Sequence, residues 1–230
     1  MEIRIESLLT GAAHAAGVVA IIDVFRAFST AAVALANGAS QIIMVGSVEE
    51  ALALRDSGVA QMCMGESGGD APAGFDFGNS PFAVSGVAFD GETIVQRTSA
   101  GTQGIVSARH ATRIYASSLV TAGATARAMS VGNPDLITLV AMGKNALDRT
   151  DEDEMCALHL RNLLEGRPGD PDAVRRAILA GAEAERFRVP NPPHLYPGDL
   201  DIALDIDRYN FAIVVSLEDG RPVARMERAG

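Results

Sequence analysis

The sequence predicts an α/β protein with three layers, α/β/α, packed around a mostly parallel sheet. Three observations lead there. Short apolar runs of strand length recur along the first 142 residues, and Ala-rich segments of helical length separate them. Most runs also end at a Gly-rich or polar loop. Strands alternating with helices of this size read as βαβ units.

Val18–Ile22 is the first buried-strand candidate, followed by a helix over Ala27–Asn37 that Gly38 closes. Gln41–Val45 is the next strand, and Val48–Ser57 a helix stopped by Gly58. Gln61–Met64 and Thr93–Arg97 are strands that each run into a loop dense in small residues. Arg113–Ala116 and Asp135–Met142 complete the set, around a helix over Thr121–Val131 and the turn Gly132-Asn133-Pro134. Beyond Met142 the texture changes. Asp151–Glu165 is an amphipathic helix with an acidic first turn, and Ala173–Glu185 is a second helix after a Pro/Gly break. The proline-rich stretch Pro190–Pro197 excludes regular structure, and Phe211–Leu217 with Pro222–Met226 reads as a hairpin. The chain is expected to form one α/β unit over 1–230, with 1–142 and 143–230 as the natural subdivisions.

At 230 residues, 48% hydrophobic and 21% charged, the chain can bury a real core and is not a disordered protein. A net charge of −10 argues against nucleic acid as a partner, because phosphate-backbone binding needs a basic face. The same charge repels an anionic substrate, so local arginine or a divalent cation has to supply the attraction. Cys63 and Cys156 follow no metal or redox spacing, and no apolar run reaches membrane-spanning length. No secretory signal is visible, so a cytoplasmic, membrane-free protein is expected. The assembly stays open, a homodimer included. Lys144 is the single lysine among 19 basic residues.

Two loops carry the chemistry: GESGGDAPAGFDFGNSP from Gly65 and RTSAGTQG from Arg97. Both mix glycines, which let backbone N–H groups approach an oxyanion, with the polar groups of an active site. Functional loops lie at the carboxyl ends of parallel strands, which gathers Asp23, Arg26, Glu66, Thr98–Thr102 and Gly143–Asn145 along one edge. Asp23 after its strand also suits a plain helix cap, but an arginine in the first helical turn opposes the dipole unless it faces an acid or an anion. Asn79 and Ser80 combine turn and capping chemistry with a cradle for an anion. Thr98, Ser99, Gly101 and Thr102 are the better phosphate-loop candidates, with Arg97 beside them, although the Walker Lys-Ser/Thr ending is missing. Asp76, between two phenylalanines, is read as a structural acid ahead of a metal neighbour. Glu152 and Asp153 open a helix, where acids are stabilised whatever their function. The four histidines share no zinc spacing, and no serine sits in a nucleophile elbow.

Taken together, IDVFRAFSTAAVALANGA, GESGGDAPAGFDFGNSP, RTSAGTQG and DEDEMCA resemble the 2-phosphosulfolactate phosphatase family, collinearly from Ala20 to about Leu164. The resemblance implies a Mg²⁺-dependent phosphatase that releases phosphate from 2-phospho-3-sulfolactate in coenzyme M biosynthesis. It also implies an α/β fold of two similar, interlocked subdomains. Its site residues map onto Asp23, Arg26, Glu66, Gly78-Asn79-Ser80, Thr98–Thr102 and Glu152-Asp153. Two departures stand out. Ser67 replaces the arginine of the usual Gly-Glu-Arg, and Ser99-Ala100-Gly101-Thr102 replaces Thr-Asn-Gly-Thr, with Arg97 available to compensate.

The expected activity is Mg²⁺-dependent hydrolysis of a phosphate monoester of a small hydroxy acid. Asp23, Arg26, Glu66 and Asp153 are the catalytic candidates, and Asp23, Glu66, Glu152 and Asp153 the metal candidates. Position 25 is Phe, so the Asp-x-Asp of phosphoenzyme hydrolases is absent and a metal-activated water is preferred. Two rivals remain. One is a cysteine hydrolase of isochorismatase type using Asp23, Lys144 and Cys156; the other is a binder of small anions without turnover.

Overall fold

Alternate residues of the central strands are buried in different clusters, which is why these strands read as continuous apolar runs. In β2 (Ala16–Ile22), Val19 and Ile21 join the largest cluster while Ala20 and Ile22 join a second. In β3 (Gln41–Val45), Ile42 and Met44 join the largest cluster, and Ile43 and Val45 a third. A computed structural model describes residues 1–167, 169–188 and 194–228.

The chain opens with β1 (Glu2–Ser7) and α1 (Leu8–His14), followed by β2, α2 (Ala27–Ala36), β3 and α3 (Val48–Asp56). Next come β4 (Met62–Gly65), the short α4 (Pro81–Val84), β5 (Thr93–Arg97), α5 (Gly101–Ser107) and β6 (His110–Ser117). A 3-10 turn leads into α6 (Ala122–Met129), then β7 (Leu136–Ala141) and α7 (Asp151–Leu164). After α8 (Pro171–Leu179), α9 (Ala182–Glu185) and α10 (Pro197–Ala203), the chain closes with the hairpin β8 (Ala212–Glu218) and β9 (Arg221–Glu227). Asp219 and Gly220 both have positive φ, as a tight hairpin turn requires.

All nine strands of the described residues lie in one sheet, in the order β1-β7-β2-β6-β8-β9-β3-β5-β4. The sheet is mixed. Two parallel groups, β1-β7-β2-β6 and β3-β5-β4, are joined by the hairpin, whose strands pair antiparallel to β6 and to β3. The two groups therefore run in opposite directions, and in a flat sheet their carboxyl ends would lie at opposite edges. A strand-to-strand twist of about 20–25° accumulates to more than a right angle over the five steps from β2 to β5. That turn swings the two sets of carboxyl ends toward one another.

Three details differ from expectation. Glu2–Ser7 is a strand: Ile3 and Ile5 pack on the second cluster while Glu2, Arg4 and Glu6 line an exposed face at the sheet edge. The expected helix over Ala173–Glu185 is two helices, interrupted at Ala180–Gly181. Within the expected irregular stretch, residues 190–193 lie outside the described residues, and Pro197 is the first residue of α10, where its missing N–H is harmless.

Candidate active site

Asp23 follows β2, and Gly101 follows β5, in the opposed parallel group. They nevertheless meet: Asp23 Oδ2 accepts the Gly101 N–H at 2.9 Å while Oδ1 accepts the Ala27 N–H at 3.0 Å. Asp23 thus caps α2 and stitches the two groups together. The single-edge arrangement expected from sequence is corrected accordingly: the site lies where two edges converge.

Each loop is fixed by a carboxylate. Asp153 in the first turn of α7 accepts from Val24 N at 2.7 Å and Gly143 N at 2.8 Å, locking the loops after β2 and β7. Glu66 accepts from Gly69 N at 2.8 Å and Ser99 Oγ at 3.0 Å, and also from Ser99 N, so it locks the loops after β4 and β5. The guanidinium of Arg26 donates to Asp199 Oδ2 at 2.9 Å and to the His194 carbonyl at 2.7 Å. This satisfies the dipole argument: the arginine does face an acid. Asp199 also accepts from Ser80 Oγ at 2.6 Å and Phe82 N at 3.1 Å, and is itself fully buried.

These loops border one polar cleft. Acids Asp23, Glu66, Glu152 and Glu183 line it, together with the cations Arg26, Lys144 and Arg186. Asn79, Ser99 and Ala100 also border it, as do Gly68–Gly69 and the ring of Phe187. Burial pushes the Asp23 carboxyl up to about 6, with nearby Glu66 adding to the rise against the Ala27 N–H. Burial likewise lifts Glu152 to about 7, helped by Glu183 and Asp23. Asp153 is raised well above the usual carboxylate range by burial, then by Glu152 and Asp23. Three mutually repelling carboxyls thus share one buried neighbourhood.

Folding raises the Asp23 and Glu152 pKa values, so the folded protein holds these protons more tightly than the unfolded chain does. The stability this confers is complete below their ordinary values of 3.8 and 4.5 and is lost as pH climbs through about 6 and 7. In the absence of divalent cations the protein is expected to lose on the order of 3 kcal/mol between pH 5 and pH 8. Urea unfolding at the two pH values checks this, and a protein more stable at pH 8 contradicts it.

Several sequence candidates do other work. The Thr98 and Thr102 hydroxyls are buried and spent on each other's backbone: Thr102 Oγ1 accepts from Thr98 N at 2.8 Å and Thr98 Oγ1 from Thr102 N at 3.1 Å. They shape the loop and do not border the cleft; the Gly101 N–H belongs to Asp23. Arg97 does not make good the missing arginine, because it donates to the Glu66 carbonyl at 2.8 Å beneath the loop. Ser67 is exposed and outside the cleft. Ser80 caps α4, donates to Asp199, and faces the neighbouring pocket that shares Arg26 and Asn79. Asp76 accepts from Cys63 N at 2.8 Å, the structural use expected of it. Cys156 is fully buried in mid-helix with its thiol pushed well up by burial, which removes the cysteine-hydrolase reading. Sequence reasoning missed Asp199, Glu183 and Arg186. Asp199 carries a faint signal as an acid two residues after the first proline of a helix; Glu183 and Arg186 look like any surface pair at i,i+3.

Hard oxygen donors, mutual repulsion and a Glu152 Oε2 without a hydrogen-bond partner among the described residues suit a divalent cation. Among those residues no three metal-ligating side chains form a ready-made cage. No helix of the described residues is long and apolar enough to cross a membrane.

A mixed α/β fold with an acid-lined polar cleft bordered by loops of both strand groups defines a candidate small-molecule site, and comparison with known proteins gives the class. A family model described as 2-phosphosulpholactate phosphatase matches residues 4–186. A probable 2-phosphosulfolactate phosphatase of Bacillus subtilis is 31% identical over 171 residues, 73% of each chain. Proteins of the same name from Thermotoga petrophila and Caldicellulosiruptor saccharolyticus are each 36% identical, over 74% and 76% of this chain and 72% of their own. The chain belongs to the 2-phosphosulpholactate phosphatase family, a family of phosphoric monoester hydrolases.

Proposed function

We propose that this protein hydrolyses 2-phosphosulfolactate, or a close phosphate monoester of a small hydroxy acid, with Mg²⁺ in the cleft. The observation carrying this reading is the Asp23–Gly101 contact, which draws the loops of two opposed strand groups around one acidic hollow. Glu152 and Asp23 would hold the ion, Asp23 through the lone pairs that its two N–H contacts leave; Glu66, which accepts from three loop donors, and Asp153, which does not line the cleft, are positioning residues. The ion, when bound, supplies charge neutralisation at the phosphoryl oxygens and lowers the pKa of a water.

The chain's own groups then have distinct tasks. Arg26 keeps guanidinium donors beyond its Asp199 bond and lines the cleft, so it stabilises charge gathering on the phosphoryl oxygens. Asn79 lines the cleft, and its buried Oδ1, without a partner among the described residues, can accept from a hydrogen-bond donor of a bound molecule. Glu66 and Ser99 keep the two Gly-rich loops rigid, so the phosphoryl group meets a preorganised wall. A role in coenzyme M synthesis is part of this proposal and follows from the substrate.

Phosphate release from 2-phosphosulfolactate is expected with Mg²⁺ and is expected to fall at least about 100-fold on chelation. Tight binding of that ester without release supports instead the anion binder without turnover.

A further inference from the structure

The cleft has a second cationic wall that the phosphatase reading leaves unused. Lys144 follows β7, and Arg186 stands just beyond α9. Glu183 lies between them: its Oε1 is 3.6 Å from Lys144 Nζ and its Oε2 pairs with Arg186 Nη1. All three line the cleft. Neither cation is saturated. Lys144 makes no side-chain hydrogen bond among the described residues, and Glu183 takes only one edge of the Arg186 guanidinium. The wall is also anchored. Phe187 is buried, packs edge-on against Phe25 at 5.2 Å and lies 5.8 Å below the Arg26 guanidinium, which ties Arg186 to the Asp23 loop.

We infer that Lys144 and Arg186, spaced by Glu183, form a separate subsite for a second anionic group of the substrate, a sulfonate or carboxylate. This inference rests on the phosphatase reading and deepens it. Charge requires such a subsite. A phosphate monoester of an acid brings a second anionic group into a cleft already lined by four acidic side chains. The ion that Asp23 and Glu152 would hold would supply charge neutralisation to the phosphoryl group. Two cations held together by one carboxylate keep a net positive charge, and a guanidinium beside an ammonium offers the forked donors that a sulfonate or carboxylate accepts. Glu183 is a positioning residue: without it, two like charges on exposed side chains would drift apart.

The test compares Lys144→Met and Arg186→Met with wild type on three esters: 2-phosphosulfolactate, 2-phospholactate and p-nitrophenyl phosphate, which has no second acid. Calorimetry with sulfolactate, which has no phosphate, runs alongside. Each variant is expected to lose at least about tenfold more kcat/KM on the acidic esters than on p-nitrophenyl phosphate, mainly through KM. Sulfolactate binding should weaken by about tenfold or more. A selective loss on 2-phosphosulfolactate alone assigns the subsite to the sulfonate; an equal loss on both acidic esters assigns it to the carboxylate. Equal losses on all three esters, or unchanged sulfolactate binding, overturn the inference. A wild-type protein that releases no phosphate from any ester sinks the phosphatase reading instead, and the calorimetry still decides the subsite.

Discussion

Asp23→Asn is expected to lose at least about 100-fold in phosphate release while remaining as well folded as wild type. Two effects on stability oppose each other. The buried carboxyl, raised from 3.8 to about 6, disfavours the folded state by on the order of 3 kcal/mol when ionised at pH 8, and an amide removes that penalty. Against this, both oxygens accept backbone N–H groups, from Ala27 and from Gly101. Asparagine has one acceptor oxygen, so one of these buried donors faces an NH₂ group, which costs about 1–3 kcal/mol. The terms nearly cancel, and the expected change is within about 1–2 kcal/mol. Loss of activity in a folded variant then reports chemistry. Near-normal turnover would remove Asp23 from the site.

Asp199→Ala is expected to destabilise the protein by about 3–5 kcal/mol, the range for breaking a buried ion pair from one side. The truncation strands the Arg26 guanidinium in an almost fully buried position and removes the acceptor of Ser80 Oγ and Phe82 N. Against a typical total of about 5–15 kcal/mol, this is a large fraction of the stability. Urea denaturation measures it, and Asp199→Asn, which keeps one acceptor and the shape, should fall between alanine and wild type. A loss below about 1 kcal/mol for the alanine variant would mean that Arg26 finds another partner.

Much of this was legible in the sequence, for identifiable reasons. Val18–Ile22 and residues 42–45 are uninterrupted apolar runs because alternate residues are buried in different clusters, and Gly38 and Gly58 mark where helices stop. Residues 2–7 escaped because an edge strand with Glu2, Arg4 and Glu6 on its open face carries no apolar run. The opposed direction of the two strand groups escaped as well. It is set by where the C-terminal hairpin inserts, a pairing between Ile42–Ile43 and Val223–Ala224 that no local pattern encodes. The acids of the site were visible because polar residues at strand ends stand out from apolar surroundings. Their division of labour was not. Whether Thr98 faces a substrate or its own loop depends on a four-residue back-bond, and whether Arg26 stands alone depends on Asp199, far along the chain.

The central claim is that acids from separate loops converge on a divalent ion in this cleft. Calorimetric titration of Mg²⁺ at pH 8, with inorganic phosphate present, tests it most directly when wild type is set beside Glu152→Gln. Glu152 lines the cleft with a buried oxygen that has no partner among the described residues and a pKa raised to about 7, so the amide relieves a buried charge. The account predicts a saturable site in wild type and binding weakened at least about tenfold in the variant, which should itself be more stable without metal by on the order of 3 kcal/mol. Equal Mg²⁺ affinity in the two proteins, or no binding by wild type, contradicts it.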